Sequence, residues 1–249
     1  MELRPIAYIR TEFPEKFGIP RQSSLAASLV GRIVFVPEYR DPEALRGLEE
    51  FSHIWLLWEF SANRGRHSYT AESDPISQKQ WQPTVRPPRL GGNKAMGVFA
   101  TRSPYRPNPI GLSCVELIKV ELSGPEGPEI HVSGADLMDM TPIYDIKPYI
   151  RYADSRPQAQ CGYVDCLEER CLEVDFLPQI REWMEAADKL PATFVDALTE
   201  VLSLDPRPSY QNDPSREYGM SFSGFNVRFK VDGNRLTVVG ISGLDSDSQ

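Results

Sequence analysis

The run LSCVELIKVEL, residues 112–122, decides the fold of this 249-residue chain. Short runs rich in Val, Ile and aromatic residues, separated by polar turns, are typical of β-strands. Similar runs recur through the first 156 residues: PIAYIRTEF, GRIVFVP, HIWLLWEF, MGVFATR and EIHVSGADL. Strands in this number predict a closed β-sheet.

One face of the strand at residues 112–122 combines apolar side chains with a carboxylate. With a period of two residues, that face carries Leu112, Cys114, Ile118, Val120 and Leu122. Glu116 shares the face, and a carboxylate in apolar surroundings is costly unless it is paired or hydrogen-bonded. Glu116 is therefore expected either to pair with Arg106 or to accept hydrogen bonds from the two hydroxyls of a ribose.

Beyond residue 156 the pattern changes from strands to amphipathic helices. Apolar side chains recur at helical spacing in PQIREWMEAAD, residues 178–188, and in ATFVDALTEVLSL, residues 192–204. The segment SFSGFNVRFKVDGNRLTVVGIS predicts a hairpin with its turn at Asp232. We therefore predict a mainly β protein, with a small β-barrel domain at residues 1–156 and a small α+β domain at residues 157–249.

Two shorter segments of the first domain also carry local signals. In DPEALRGLEEF, Asp41 can cap a short helix and Pro42 can occupy its first position. Residues 65–80 are polar and irregular, which predicts an exposed loop.

The segment TRSPYRPNPIGLS, residues 101–113, is a candidate ligand-holding loop. Three prolines within six residues fix the backbone and remove three donors, so the loop is stiff and loses little entropy on binding. It presents Arg102, Arg106 and Asn108, which can hold a carboxylate, a phosphate or the edge of a heterocycle. The alternative is a rigid turn whose arginines form surface salt bridges.

A second polar cluster lies in DLMDMTPIYDIKPYI, residues 136–150. It is either an Asx or Thr turn between strands or a second ligand loop, which we favour because its polar groups outnumber those that a turn needs. The segment IPRQSS, residues 19–24, is a smaller loop of the same kind. The sequence contains no catalytic triad pattern, no GxGxxG and no P-loop. The cysteines match no common zinc spacing, so we expect no metal.

Charge is distributed unevenly along the chain. The net charge is −8, yet the first 156 residues hold 19 basic and 19 acidic side chains. No Asp or Glu occurs in residues 75–115, which we call the acid-free window. Its basic residues are Lys79, Arg86, Arg89, Lys94, Arg102 and Arg106. The window either suits an anionic ligand or is balanced by acidic neighbours in space.

The sequence carries no membrane or export signal. No apolar run approaches the roughly 18 residues that a membrane-spanning helix needs, and no basic-then-apolar leader precedes the first strand. We therefore expect a cytoplasmic protein with no membrane partner.

Six motifs extend over nearly the whole chain. They are PRQSS, FSHIWLL, the block QPTVRPPRLGGNKAMGVFATRSPYRPNPIGLSCVELIKVE, DMTPIYDIKPYIRYADS, DPRPSYQ and YGMSFSGFNVRFKV. Together they resemble the TsaA-like family of methyltransferases. The resemblance implies a small β-barrel enzyme that uses S-adenosylmethionine, works as a homodimer and binds tRNA with help from its C-terminal domain. The implied reaction is methylation of N6 of threonylcarbamoyladenosine at tRNA position 37, beside the anticodon.

The resemblance also implies site residues, matched motif by motif. The cofactor is expected among Gln22, Ser23, Ser24, Asn63, Arg64, Arg106, Glu116, Met140, Thr141, Pro142 and Ile143. Met140 departs from the family, which commonly has Gly there; if the backbone approaches the cofactor closely, a Cβ at this position requires a φ below zero.

A base is also expected at the site. The acceptor nitrogen is conjugated to a urea carbonyl and is a poor nucleophile until its proton leaves. Asp145 or Tyr144 is predicted to assist in removing that proton, with Asn108 orienting the target base.

Two other functions stay open at this point. A barrel that senses S-adenosylmethionine or RNA without transferring a group needs the same loops but no acceptor pocket. Methylation of a small molecule or a protein is a third function, which the acid-free window disfavours.

Overall fold

The computed structural model describes residues 3–61, 83–90, 94–167, 171–186, 190–208, 211 and 213–244. The strands of the N-terminal part are β1 (Ala7–Arg10), β2 (Val30–Phe35), β3 (His53–Glu59), β4 (Thr84–Val85), β5 (Met96–Gly97), β6 (Ile110–Gly124), β7 (Gly127–Ser133) and β8 (Thr141–Pro148). Six of them close into a barrel in the order β1-β2-β7-β6-β3-β8, whereas β4 and β5 form a separate two-stranded sheet. Neighbouring barrel strands are antiparallel, and β8 pairs back to β1. The predicted closed sheet is confirmed.

The barrel interior is filled by alternate side chains of its strands. In β3 the buried residues are Ile54, Leu56 and Trp58, so the period of two holds along the whole strand. They pack with buried Val and Ile residues of the neighbouring strands in one apolar cluster.

The apolar face assigned to β6 does not stay on one side of the strand: its first part, residues 112–116, turns outward, whereas Val120, beyond a β-bulge, packs against the barrel core. The residues that point inward are Gly111, Ser113 and Val115, whereas Leu112, Ile118 and Leu122 are exposed and Glu116 lies with them. Small residues are required inside because Trp58 of β3, paired with Gly111, fills the space in front of them. Apolar character alone therefore pointed to the wrong face.

The C-terminal part is α+β. The short helix α1 (Arg151–Asp154) ends the N-terminal part, and the elements after it are β9 (Glu173–Phe176), α2 (Pro178–Ala186), α3 (Phe194–Ser203), β10 (Tyr218–Phe222), β11 (Phe225–Asp232) and β12 (Arg235–Gly243). The four strands form one sheet in the order β10-β11-β12-β9, with β9 parallel to β12. Gly233 has a φ of +58° in the turn between β11 and β12, which confirms the predicted hairpin. The apolar stripe of α3 is buried against this sheet.

The segment between β1 and β2 packs against the C-terminal part. Phe13, Ala26 and Leu29 belong to the same apolar cluster as α3 and the four-stranded sheet. The backbone N–H and the hydroxyl of Ser28 both donate to the Glu200 carboxylate of α3, each at 2.8 Å. Residues 11–29, which include the predicted Gln22–Ser24 loop, are therefore held between the barrel strands that flank them and the C-terminal part.

Two local predictions have different outcomes. The segment predicted as a short helix forms two 3-10 turns, Pro42–Leu45 and Leu48–Glu50, because Gly47 between them has a φ of +82°. The Asp41 side chain does cap the first turn by accepting from the N–H of Glu43 at 3.0 Å. The predicted loop at residues 65–80 lies outside the described residues. Within the described part of the chain, no helix is long and apolar enough to cross a membrane.

Candidate active site

A cavity of about 610 Å³ opens at one end of the barrel. Its walls come from the loop before β2, the end of β3, residues 101–109, the start of β6 and the segment that leads into β8. This volume lies within the usual range for sites that hold a cofactor-sized molecule. The loop at residues 101–113 and the cluster at residues 136–150, proposed separately from the sequence, thus share one cavity.

Four of the predicted site residues line this cavity: Gln22, Arg106, Asn108 and Thr141. Arg102, singled out as a ligand-holding arginine, lines it too, and its guanidinium donates to the Gln22 amide oxygen. Arg106 donates to the Thr101 carbonyl at 3.3 Å. Among the residues described, neither arginine forms an ion pair, so the interpretation of this loop as a surface salt-bridge turn receives no support.

Three further predicted residues, Met140, Pro142 and Ile143, adjoin Thr141 along the chain. Pro142 and Ile143 are buried where β8 pairs with β1. Met140 is exposed and has a φ of +60°, with its N–H donating to the Ile9 carbonyl at 2.8 Å. The condition that Met140 needs a φ below zero is therefore not met: the backbone keeps the left-handed conformation that glycine favours.

The loop with Ser23 and Ser24 has a similar backbone feature. Ser24 has a φ of +65°, and its N–H donates to the Gly134 carbonyl at 2.8 Å. Its hydroxyl donates to the Cys114 carbonyl of β6 at 3.4 Å. A backbone bond to Gly134 and a side-chain bond to β6 thus hold this loop next to the cavity-lining Gln22.

Of the remaining predicted residues that the structure describes, Glu116 and Asp145 are not among those that line the cavity. Glu116 pairs in register with His53 of β3, on the outer face of the barrel. Asp145 forms an ion pair with Lys147 at 2.8 Å and accepts from the N–H of Ile146. Asn63 and Arg64 fall outside the described residues.

Tyr144 acts on the cavity indirectly. Its hydroxyl donates to the carboxylate of Glu59, which does line the cavity. Tyr144 therefore helps to place an acid at the cavity wall.

A second acid at the cavity, Asp136, was missed by the sequence analysis. The indole Nε1 of Trp58 donates to Ser113 Oγ at 3.0 Å, and Ser113 Oγ donates to Asp136 Oδ1 at 2.6 Å. Because an indole N–H can only donate, the single hydroxyl proton of Ser113 is directed at Asp136. No local signal in the sequence marks Asp136, because its partner Ser113 lies in β6 and the Trp58 that donates to Ser113 lies in β3.

The cavity combines four basic side chains with two half-buried acids, which favours an anionic group among the basic side chains. Lys16, Arg21, Arg102 and Arg106 line it, against the two carboxylates Glu59 and Asp136. Burial raises the pKa of Asp136, while the bond from Ser113 and the nearby Arg102 oppose that rise. Within the described ranges, no group of three or more His, Cys, Asp or Glu side chains could hold a metal ion.

Comparison with known proteins gives consistent matches over the whole chain. The family model described as tRNA-methyltransferase O N-terminal domain matches residues 8–155, and the TrmO C-terminal domain matches residues 169–244. The Escherichia coli protein named tRNA (adenine(37)-N6)-methyltransferase is 38% identical over 232 residues, covering 92% of this chain and 93% of that protein.

Two relatives from Pseudomonas aeruginosa extend the comparison. A protein named putative S-adenosylmethionine-dependent methyltransferase RcsF is 40% identical over 227 residues, covering 90% of each chain. The crystal structure of TrmO from the same organism superposes with a TM-score of 0.73 at 32% identity, covering 98% of this chain and 99% of that one.

Proposed function

The chain belongs to the tRNA-methyltransferase O family, and from this premise and the cavity we propose the reaction that it catalyses. The protein transfers the methyl group of S-adenosylmethionine to N6 of adenosine 37 in tRNA. We further propose that this adenosine carries the threonylcarbamoyl group, which gives N6-methyl-threonylcarbamoyladenosine. The observation that supports this best is one cavity that combines arginines for an anionic group with two half-buried acids.

The residues of the cavity fit S-adenosylmethionine. Its carboxylate matches the guanidinium groups of Arg102 and Arg106. The half-buried ring of Phe60, whose centroid lies 4.4 Å from that of the buried Trp58, gives an aromatic surface for an adenine. When bound there, the cofactor supplies an activated methyl group. The protein's work is then to orient the two reactants and to exclude water.

We retain the predicted contacts along the cavity as proposals. Gln22 with Ser23 and Ser24, Arg106, and the segment from Met140 to Ile143 hold the cofactor, and Asn108 orients the target base. Tyr144 and Asp145, predicted as bases, do not line the cavity. They can act on the target nitrogen only if the bound substrate extends to them or the protein changes conformation.

The tRNA is proposed to lie along the acid-free window. Arg86 and Lys94 are exposed there. Two aromatic side chains of the window, Phe99 and Tyr105, are 72% and 42% exposed. Single-stranded RNA loops are held by cations on the backbone and by aromatic rings that stack on unpaired bases. This combination suits an anticodon loop. We also propose that the protein works in the cytoplasm, together with its tRNA. The chain is proposed to divide into a barrel domain at residues 1–156 and a second domain at residues 157–249, which assists tRNA binding.

We also propose that the protein is a homodimer through the outer face of β6. Leu112 and Ile118 form an exposed apolar row on this face, and apolar rows of this kind mark interaction sites. The row begins at the cavity, because Leu112 lines it. Glu116 lies in the same row, so we place its contact with the cofactor ribose across the dimer. The partner that makes this contact possible is a second copy of the same chain.

The decisive experiment uses purified protein, S-adenosylmethionine with a labelled methyl group, and tRNA from cells that lack the enzyme. We expect label in tRNA, and nucleoside mass spectrometry should find it in N6-methyl-threonylcarbamoyladenosine. Transfer to tRNA that lacks the threonylcarbamoyl group should be absent. Binding of label without any transfer would instead identify a sensor barrel, and transfer to a protein or small molecule would show another substrate class.

A further inference from the structure

We propose that Asp136 is the catalytic group that accepts the N6 proton of the target adenosine. This inference rests on the proposed function. In the step, the N6–H bond breaks and the proton moves to the Asp136 carboxylate. The electron pair of N6 forms the new bond to the methyl carbon. The bond between that carbon and the sulfonium sulfur breaks, and its pair stays on sulfur as a thioether.

The position of Asp136 is the first argument. Of the described carboxylates, only Glu59 and Asp136 line the cavity. The phenol of Tyr144 holds Glu59. Asp136 accepts the Ser113 hydroxyl at 2.6 Å, and the backbone amides of Asp136 and Ser23 also lower the pKa of its carboxyl. A carboxylate has about four acceptor positions, so these bonds leave it able to receive a proton from a substrate.

The direction of the hydrogen-bond chain is the second argument. Trp58 donates to Ser113, and Ser113 donates to Asp136, so every proton in the chain points towards the carboxylate. This chain fixes the carboxylate in position and favours its ionised form. Ser113 and Trp58 are thus positioning residues, because they act on the reaction through Asp136.

The balance of charges gives the third argument. The charged groups that line the same cavity are Lys16, Arg21, Glu59, Arg102 and Arg106. Burial raises the pKa of Asp136, and Arg102 and Ser113 act in the opposite direction. A carboxylate with a raised pKa is a better proton acceptor than an exposed one, and it remains usable while its pKa stays below the working pH. The rate should therefore fall as the pH drops through the pKa of Asp136.

The test compares single-turnover rates of Asp136→Asn, Asp145→Asn and Glu121→Gln with those of the original protein. Asparagine keeps the shape and can still accept from Ser113, so Asp136→Asn should fold and bind cofactor with little change. Its rate at saturating cofactor and tRNA should fall by about 10²- to 10⁴-fold. Glu121, half-buried at the far end of β6 and not among the residues that line the cavity, is the matched control and should be unaffected.

A second variant, Ser113→Ala, tests the positioning role through the pH profile. Because the Ser113 bond lowers the pKa of Asp136, its loss should move the acidic limb of the rate to higher pH, with recovery in alkaline buffer.

Two results would overturn the assignment. Weaker cofactor binding by Asp136→Asn with an unchanged saturated rate would make Asp136 a binding group. Loss of turnover in Asp145→Asn alone would make Asp145 the base. Absence of transfer by the original protein would contradict the proposed function instead, so the two failures are distinguishable.

Discussion

Replacement of Gly111 by Ala should displace the Trp58 ring and disturb both stability and the site. A Cβ at position 111 would have three atoms of the indole as its nearest neighbours, and even the third would lie only 2.6 Å away. The ring belongs to a buried side chain inside a closed barrel, so it cannot move aside freely. The collision must be relieved by a shift of strand β3 or β6, or by rotation of Trp58.

The expected cost follows from these contacts. Overpacking a core typically costs about 1–3 kcal/mol, and loss of the bond from Trp58 to Ser113 adds about 1 kcal/mol. A total of about 2–4 kcal/mol in a protein of this size lowers the unfolding temperature by roughly 4–16 °C. Because Ser113 loses its donor, the transfer rate should fall as well.

For Gly111→Ala, calorimetry would measure the change in unfolding temperature, and indole fluorescence would report the displacement of the Trp58 ring. The control is Gly243→Ala at the exposed end of β12, where an added Cβ meets no atom within 4 Å. An unchanged unfolding temperature and unchanged Trp fluorescence in Gly111→Ala, matching the control, would show that Trp58 does not pack on β6 as described.

Four further predictions address the cofactor, the tRNA, the dimer and the link between the two parts of the chain. Arg106→Ala should weaken S-adenosylmethionine binding by about 10- to 100-fold in calorimetric titration, since a bond to a charged group contributes about 1.5–3 kcal/mol; unchanged affinity would remove Arg106 from the site. Tyr105→Ala should raise KM for tRNA with kcat preserved, because one base loses a stacking partner of about 1–3 kcal/mol; an equal loss in kcat would argue against stacking. Ile118→Glu should give monomers in light scattering, and a persisting dimer would exclude the β6 face. Glu200→Ala should lower the unfolding temperature by several degrees because the half-buried partner of Ser28 is lost, whereas Glu185→Ala on the exposed side of α2 should not.

The strands and helices could be predicted because their signals are local. The period of β3 and the apolar stripe of α3 depend only on neighbouring residues, and both are present in the structure. The faces of β6 could not be assigned in this way. Its inward residues are small because Trp58 comes from another strand, and no window of sequence around β6 contains that information.

The site was predictable to a similar extent. The loop with Arg102, Arg106 and Asn108 has an unusual local composition, so its role as a cavity wall could be inferred. Asp136 could not, because its importance depends on Ser113 and Trp58, which lie 23 and 78 positions away in the chain. The positive φ of Met140 is also a consequence of pairing with Ile9, a contact that the sequence does not reveal.

The docking of residues 11–29 onto the C-terminal part has a consequence for engineering chimaeric enzymes. Phe13, Ala26 and Leu29 complete the core of the C-terminal part although they belong to the connection between two barrel strands. A hybrid that joins this barrel to the C-terminal part of a relative at residue 156 would combine mismatched halves of one core. A crossover that transplants residues 11–29 together with the C-terminal part keeps that core intact, and Gln22 then arrives at the cavity from the donor protein.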